Sequence, residues 1–360
     1  MLDGSKNMPG GLFNNSRLWL LIWFFSVVRA GNGHFSSLPG SSRDQLIPHT
    51  NAKTLGVYPT DACCAVCCFM DASFRGSISK QFTATAIMLL VEERKIGLDD
   101  RVTNYFGWLP KEWGEVTVRH LLTHTSGIRE QQWKDGIIEF DRFEHDQEEV
   151  VRTAFGPMLV RPGEKFAYSN VGYRLLGMLI EKASGQSYWD FLEQRIFRRI
   201  GMEVTRNSDP KTIIPNRARG YGISGGNPEN REPVTASAAF SQGALISSVL
   251  DMVKWDAALD SERLLKRTSL DQMWTPVRLN DGTTYNYGFG WYLRPVPGHR
   301  TVAHGGGLPG FSTFIRRFID DKLTVILLSN CETADTGRIA LGVAGLYVPA
   351  LVSPEVKKQL

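Results

Sequence analysis

The chain has 360 residues, of which 42% are hydrophobic and 22% charged, and this composition excludes disordered, collagen-like and coiled-coil proteins. Its formal net charge is +4, from 41 basic and 37 acidic residues without a long run of like charge, which argues against a nucleic-acid-binding stripe. Five cysteines are too few for a disulfide scaffold in a chain of this length, and their odd number leaves at least one outside any pairing within the chain.

The first apolar segment, from Leu18 to Val28, is shorter than the about 20 residues that a membrane-spanning helix needs. Basic residues precede it and small residues follow, which predicts a signal peptide over residues 1–30 and a secreted or periplasmic protein. The alternative is an ordinary apolar segment. Residues 31–57 are rich in Gly, Ser, Pro and Asn and predict a linker or disordered leader, and the run Ala62–Phe69 predicts a buried strand.

The middle of the chain is helical in pattern and its end is strand-like. A long apolar segment from Ser77 to Gly97 predicts a helix that is buried on nearly all faces. Further helices are predicted at Val118–Leu122, Val171–Ala183, Tyr188–Ile200, Val249–Leu259 (with a capping box from Ser248 to Asp251) and Arg338–Val348. An antiparallel meander is predicted at Tyr287–Val296, Arg300–His304, Phe311–Ile319 and Leu323–Ser329. This order, without strict βαβ alternation, predicts an α+β fold.

The segment SISK, residues 77–80, places a hydroxyl and an amine on one face at the start of the long helix. The helix amino terminus favours an alkoxide-like Ser77, while burial and like charge are expected to lower the pKa of Lys80. A serine beside an amine that works in its neutral form is a nucleophile with its base. The same spacing recurs in SDPK, residues 208–211, which has no apolar helix behind it and predicts a loop. The alternative for Ser77 is an ordinary helix N-cap.

The segment FAYSN, residues 166–170, follows a Pro-Gly turn and precedes a predicted helix. Tyr168 and Asn170 therefore lie on a loop or at a helix start, where functional side chains are common. A neighbouring Lys80 cation is expected to lower the pKa of Tyr168 and let the phenol share a proton with Ser77. The alternative is a buried tyrosine whose hydroxyl makes an ordinary hydrogen bond.

A glycine-rich segment, HGGG at residues 304–307, ends a predicted strand. Glycines at such a position let a substrate lie against the strand backbone and leave N–H groups free to face an oxyanion. Taken alone, a glycine-rich strand end is more often a bulge or a turn.

Together, in this order and spacing, these motifs resemble those of the serine β-lactamase-like family, which includes class C β-lactamases, D-alanyl-D-alanine carboxypeptidases and related esterases. The resemblance extends from about Phe74 to about Ala340. It is carried by the stretches SISKQFTATAIMLLVEERKIGLDD, VTVRHLLTHTSGI, FAYSNVGYRLLGMLIEKASG and HGGGLPGFSTF.

The resemblance implies an antiparallel sheet flanked by helices and built from both chain ends, with residues 58–97 plus 283–360 in the sheet domain. It implies a mostly helical inserted domain over residues 98–282, with the site between the two domains. In such a site Ser77 attacks an acyl carbonyl, Lys80 and Tyr168 relay the proton, and water later releases the acyl group.

The resemblance also implies roles for three further residues. The N–H groups of Ser77 and Gly307 are expected to form the oxyanion hole, and Asn170 is expected to hold either the substrate amide or Lys80. His304 occupies the third-motif position, where many members have a lysine whose cation meets the substrate carboxylate. Since histidine is mostly neutral at pH 7, weaker carboxylate recognition is expected, with a tilt toward esterase or peptide-hydrolase activity.

The sequence thus predicts a serine hydrolase acting through an acyl-enzyme on a small-molecule ester, amide, peptide-like or β-lactam substrate. No metal, organic cofactor, nucleic-acid partner or stable membrane span is expected. The alternatives are a non-catalytic or slowly deacylating penicillin-binding or sensor-type protein, and an inactive product, because the two strands that usually precede the nucleophile are hard to find.

The cluster Cys63–Cys68 contains a C-x-x-C, but only Cys331 remains as a further zinc ligand of this type. His124 is expected to be a structural hydrogen-bonding residue.

Overall fold

The structure, a computed structural model, describes residues 18–24, 73–74, 76–131, 140–209 and 211–352. The helices, numbered along the chain, are α1 Ser79–Glu92, α2 Val118–Leu122, α3 Gln147–Arg152, α4 Asn170–Ser184, α5 Tyr188–Leu192, α6 Arg198–Ile200, α7 Ala236–Gly243, α8 Val249–Ala258, α9 Arg267–Met273 and α10 Thr336–Tyr347. The strands are β1 Leu18–Phe24, β2 Ser73–Phe74, β3 Arg206–Asn207, β4 Tyr221–Ser224, β5 Asn227–Asn230, β6 Leu245–Ser247, β7 Val277–Arg278, β8 Thr284–Tyr285, β9 Thr301–Leu308, β10 Phe311–Phe318 and β11 Leu323–Ser329.

Four strands form a sheet in the order β1-β11-β10-β9. The last three strands of the chain are antiparallel neighbours joined by short turns, with Phe311 opposite Leu308 and Phe318 opposite Leu323. Smaller sheets have the orders β2-β6-β3, β4-β5 and β7-β8. Helices combined with mainly antiparallel sheets confirm the predicted α+β class.

The edge strand β1 departs from the all-antiparallel order that was expected, because it runs parallel to β11 with Leu18 opposite Leu323. This strand covers part of the Leu18–Val28 segment that the sequence analysis assigns to a signal peptide. The signal peptide stays a prediction. The predicted strand Ala62–Phe69 and the cluster Cys63–Cys68 lie outside the described residues.

Helix α1 lies at the centre of the protein, as its apolar residues on nearly all faces predict. Every residue from Ser79 to Leu90 is buried, and the helix contacts both α4 and α7. The ring of Phe82 packs on Trp255 of α8 with 4.2 Å between ring centroids, and the Trp255 Nε1–H donates to Gln81 Oε1 at 3.0 Å. Because the helix is held on all sides, its amino-terminal end is fixed in position. Lys80 lies in its first turn, and Ser77 lies just before it.

The sheet is covered by a helix on each face. On one face, Ala340 and Ala344 of α10 pack in a cluster with Phe314 and Val325. On the other face, α8 is tied to the sheet by a fully buried ion pair between Asp256 and the Arg317 side chain of β10. Thr324 of β11 donates a further hydrogen bond to the same carboxylate at 2.9 Å. The sheet and α8 are therefore locked together beneath the site.

Most predicted elements match the observed ones to within a few residues, and the Ser248 side chain caps α8 by accepting from the Asp251 N–H at 3.2 Å. The strand predicted over Tyr287–Val296 is wrong, since the segment makes only isolated bridges, among them Tyr292 with Ala303. Gly290 interrupts it with φ +75°, and a Cβ there would lie 2.8 Å from the Lys80 carbonyl oxygen. This segment therefore packs against α1 in place of extending the sheet.

Candidate active site

Ser77 lies in a 3-10 turn, Gly76–Ile78, that leads directly into α1 and packs against β9 and β10. Gly76 has φ +50°, and a Cβ on it would lie 2.8 Å from the backbone nitrogen of Gly307. Only a glycine allows this close approach without displacing the strand. The turn thereby brings Ser77 beside Gly307, and both residues line one cavity. Their role as the oxyanion hole stays a prediction.

The Lys80 side chain is fully buried and its Nζ has three hydrogen-bond partners. They are Ser77 Oγ at 3.1 Å, Asn170 Oδ1 at 2.9 Å and the Gln242 carbonyl oxygen at 3.1 Å. Two of these partners, the amide oxygen and the carbonyl, can only accept. Of the two alternatives for Asn170, the structure therefore places its amide oxygen on Lys80.

Burial lowers the pKa of Lys80 from 10.5 to about 7, although the nearby Glu130 carboxylate raises it. The expected cause, burial, is present, whereas the like charge that the sequence analysis invoked is not among the causes. A neutral amine has two N–H donors and one lone pair, and the two acceptor-only partners use both donors. The lone pair is then left for the hydroxyl proton of Ser77. This geometry is that of a general base beside a nucleophile.

The Gln242 carbonyl reaches Lys80 because α7 is kinked at Phe240, which has φ +35° and ψ −137°. Positive φ is strained for a bulky residue. The carbonyls of the last helical turn have no partner within α7 and are bonded by α1: the Ser241 carbonyl accepts from the Thr83 hydroxyl at 2.6 Å, and the Gln242 carbonyl accepts from Lys80. Two main-chain acceptors of α7 therefore hold the first turns of α1.

Tyr168 lies in the loop before α4, as predicted, with its ring centroid 4.9 Å from Lys80 Nζ and its hydroxyl hydrogen-bonded to Ser77. Burial raises the pKa of Tyr168 well above 10, and the hydrogen bond with Ser77 only partly offsets this effect. The expectation that a Lys80 cation lowers the pKa of Tyr168 is therefore wrong. Desolvation dominates because much of the phenol is shielded from water and because Lys80 itself is easily neutralised.

Glu130 is a partly buried acidic residue that no sequence motif indicated. Burial raises the pKa of its carboxyl group, although hydrogen bonds with Asn170, Ser169 and Val171 lower it; one of these is accepted from the N–H of Asn170. These contacts place a carboxylate at the amino terminus of α4, where the exposed N–H groups favour negative charge. Glu130 thereby fixes the start of α4, and with it the amide that contacts Lys80. No spacing in the sequence signals this contact.

His304 is connected to His124 through the hydroxyl of Tyr287. The Ser169 N–H donates to His124 Nδ1 at 3.0 Å, so the ring proton of His124 resides on Nε2 and is donated to the Tyr287 oxygen at 3.2 Å. The Tyr287 hydroxyl lies 3.2 Å from His304 Nε2, and His304 Nδ1 donates to the Gly305 carbonyl at 2.6 Å. Although the Tyr173 hydroxyl is also in hydrogen-bonding contact with Tyr287, the bare imidazole nitrogen of His304 is the stronger acceptor for the Tyr287 proton.

This series of hydrogen bonds, termed the His124–Tyr287–His304 relay, connects two imidazoles that burial keeps neutral. Burial and the nearby Lys80 lower the pKa of His304 to about 3, and burial also lowers the pKa of His124 well below 6.5. His124 thus makes the structural hydrogen bonds expected of it. His304 provides no positive charge to the site at neutral pH.

Two cavities flank Ser77 and differ in chemical character. The first, of about 340 Å³, is lined by Ser77, Tyr168, Tyr292, Arg294, Ala303, His304, Gly305 and Phe314. Arg294, which no sequence motif indicated, gives this cavity a cation. Its exposed guanidinium lies 4.8 Å from the ring centroid of Tyr292. The second, of about 330 Å³, includes Gln131, Asp141, Asn170, Gln242 and Gly307 and is rich in acceptors. A larger cavity of about 640 Å³ near Trp189 does not include Ser77.

Other sequence features lie apart from this site. In the second match to the serine-lysine spacing, Ser208, Asp209 and Lys211 lie outside any helix or strand, as predicted. Within the described ranges, no cluster of three or more His, Cys, Asp or Glu side chains is placed to hold a metal ion. None of the helices in this part of the chain is both long and apolar enough to cross a membrane.

Comparison with known proteins identifies the family of the chain, which spans less than two thirds of the length of the curated relatives it matches. Residues 74–346 match the family model described as Beta-lactamase. The chain is 36% identical over 275 residues to penicillin-binding protein 4* of Bacillus subtilis, covering 71% of this chain but only 60% of that relative. Among solved structures, it resembles the octameric penicillin-binding protein homologue of Pyrococcus abyssi, with TM-score 0.68, 29% identity and coverage of 78% and 67% of the two chains. It also resembles the D-stereospecific amidohydrolase of a Streptomyces species, with TM-score 0.66, 27% identity and coverage of 76% and 86%.

Proposed function

Since the chain belongs to the beta-lactamase family, as its resemblance in sequence motifs predicts, we propose that it is a serine hydrolase that forms an acyl-enzyme on Ser77. The observation that carries this proposal is the hydrogen bonding of Lys80. Two acceptor-only partners take both N–H donors of the neutral amine and leave its lone pair for the Ser77 hydroxyl. With a pKa of about 7, a substantial fraction of Lys80 is neutral at physiological pH.

In acylation, Ser77 Oγ forms a bond to the substrate carbonyl carbon as its proton passes to Lys80 Nζ. The negative charge on the carbonyl oxygen is stabilised by the N–H groups of Ser77 and Gly307. The bond to the leaving group then breaks, and the leaving group takes a proton from the Tyr168 hydroxyl. The proton that Lys80 accepted then returns to Tyr168, whose ring centroid lies 4.9 Å from Lys80 Nζ, so that both groups regain their starting protonation.

The raised pKa of Tyr168 assigns it the role of proton donor in this scheme, because the phenol is protonated at neutral pH. Deacylation reverses these proton movements: water attacks the ester carbonyl as its proton passes to Tyr168 and on to Lys80, and Lys80 returns a proton to Ser77 Oγ as the acid is released. Both half-reactions need only groups that already contact one another around Ser77.

The substrate class that fits this site is a small ester, amide or peptide-like molecule, with β-lactams included. His304 is neutral and contributes no charge to recognition of a substrate carboxylate. Arg294 in the same cavity is the cation that remains available to such a group. Secretion or periplasmic export is proposed from the amino-terminal sequence alone.

The test is active-site labelling of the purified full chain with a serine-reactive fluorophosphonate, followed by intact-mass measurement and peptide mapping. We expect one label on Ser77 and none in the Ser77→Ala variant. Turnover of p-nitrophenyl esters should be lost in the same variant, and circular dichroism should show that it remains folded. Labelling without turnover would favour a binding or sensor protein, whereas a folded protein that is not labelled would contradict the proposal.

A further inference from the structure

The second cavity beside Ser77 contains buried oxygen acceptors without donors. Gln131 Oε1 and Gln242 Oε1 are buried, and neither has a hydrogen-bond partner among the residues that the structure describes. The orientation of the Gln242 amide is fixed, because its Nε2 donates to the Ala238 carbonyl at 3.4 Å. Buried acceptors without donors are unfavourable unless a ligand or water supplies the missing hydrogen bond. Each of these oxygens can therefore accept a hydrogen bond from a donor bound inside the cavity.

A carboxylate completes the lining of this cavity. Asp141 is partly buried, and its backbone is fixed by the hydrogen bond that its carbonyl accepts from the Thr235 N–H at 2.9 Å. Burial raises the pKa of Asp141 to about 6, and the nearby His145 only partly offsets this effect. A carboxylate with this pKa is ionised at neutral pH. Among the described residues around Asp141, no strong cation compensates its charge.

The donors of this cavity already have roles beside Ser77, and among the described residues no cation lines it. The N–H groups of Ser77 and Gly307 are assigned to the substrate carbonyl oxygen, the Asn170 amide oxygen is used by Lys80, and the apolar part of the lining comes from residues such as Phe140 and Val234. An anion would be repelled by Asp141 and, like an uncharged alkyl group, would leave both glutamine oxygens unpaired. A protonated amine has three N–H donors and a positive charge, and therefore matches two amide oxygens and a carboxylate.

We propose that this cavity is the subsite for a protonated amino group on the acyl part of the substrate, bound by Asp141, Gln131 and Gln242. The inference rests on the proposed acyl-enzyme function and narrows its substrate class to aminoacyl amides and esters. The cavities on the two sides of Ser77 then have opposite character, with acceptors on one side and the Arg294 cation on the other. A short peptide, with an amine at one end and a carboxylate at the other, has the same polarity.

The experiment compares alanine p-nitroanilide, in both configurations, with propionyl p-nitroanilide, which differs from it by the amino group alone. At pH 7 an α-amino group is mostly protonated. We expect the wild-type kcat/KM to be at least about tenfold higher for one alanine enantiomer than for the propionyl compound, as charge-assisted hydrogen bonds require. Asp141→Asn and Gln131→Leu should remove most of this preference while leaving the kcat/KM for the propionyl compound within about twofold.

Asp320→Asn is the matched control, because it neutralises an exposed aspartate in the β10–β11 turn and should keep the preference of the wild type. Equal losses for both substrates in Asp141→Asn, or no preference in the wild type, would overturn the inference. Binding to Ser77→Ala separates the inference from the catalytic proposal. In this variant alaninamide should bind at least about tenfold more tightly than propionamide, and Asp141→Asn should abolish the difference even if no substrate is turned over. Equal binding of the two amides would overturn the subsite.

Discussion

Replacement of Lys80 by methionine tests the electrostatic basis of the proposed mechanism through protein stability. Unfolded Lys80 binds a proton up to its ordinary pKa of 10.5, but the folded chain binds it only up to about 7. Between these values the unfolded state holds more protons, so stability rises with pH. Below pH 7 the penalty is complete and amounts to about 5 kcal/mol, from 3.5 pKa units at 1.36 kcal/mol each.

Lys80→Met removes this ionisation and leaves the other titrating groups of the chain in place. The loss of three hydrogen bonds lowers the stability of the variant by an amount that does not depend on pH in this range. We therefore expect the difference in unfolding free energy, wild type minus variant, to increase by about 3 kcal/mol from pH 7 to pH 9.5. Urea unfolding at several pH values measures this difference directly.

The exposed Lys111→Met variant controls for the loss of a positive charge elsewhere on the surface. In the wild type, kcat/KM should also rise with pH and reach half of its plateau near pH 7, since the neutral amine is the base. Parallel stability curves for wild type and Lys80→Met would refute the argument, because they would show that burial leaves the lysine protonated over the whole range.

Four further substitutions test separate parts of the structure. Gly76→Ala should lower kcat/KM by at least about a hundredfold in ester assays, since its Cβ would displace the Gly307 nitrogen from a distance of 2.8 Å and remove an oxyanion donor; an unchanged rate would exclude Gly307 from that role. His304→Lys should raise the ratio of kcat/KM for carboxylate-bearing over neutral substrates about tenfold, and a constant ratio would contradict the role given to this position. Tyr287→Phe should raise the pKa of His304 from about 3, followed by NMR titration, and lower stability by about 1–3 kcal/mol; an unaltered titration would mean that the relay does not control the imidazole. Asp256→Ala should lower the unfolding free energy by up to about 3–5 kcal/mol, because the fully buried Arg317 then keeps only the partly exposed Asp260 as a counter-ion, and a loss below about 1 kcal/mol would be inconsistent with a buried ion pair.

Sequence spacing was sufficient to bring the central residues of the site together. The structure places Ser77, Lys80, Tyr168 and Asn170 in mutual contact, although ninety residues separate the two motifs. Such motifs are predictable because each one is local: a helix turn, or a loop before a helix. The central position of α1 was likewise visible in its apolar residues on every face.

The properties that depend on tertiary packing were not predictable from the sequence. The direction of the pKa shift of Tyr168 depends on how completely the ring is buried, and no pattern of residue types encodes this quantity. Arg294 lies in a segment that was expected to be a regular strand, so alternation of side chains gave no indication that it faces Ser77. Glu130 acts on a helix that begins forty residues later, and its contact depends on how the connecting chain folds back.

The kink at Phe240 has a consequence for how this protein can change by mutation. Lys80 is held in part by the carbonyl of residue 242, and a carbonyl is present whatever side chain occupies that position. Residue 242 is therefore open to substitution as far as the base is concerned, and its side chain can diverge with the substrate while the amine keeps its acceptor. The bend itself has no such freedom, since it sets the direction in which the carbonyls of residues 241 and 242 leave the end of α7 toward α1. Binding preference and base chemistry can thus evolve independently at a single residue, one through its side chain and the other through its main chain.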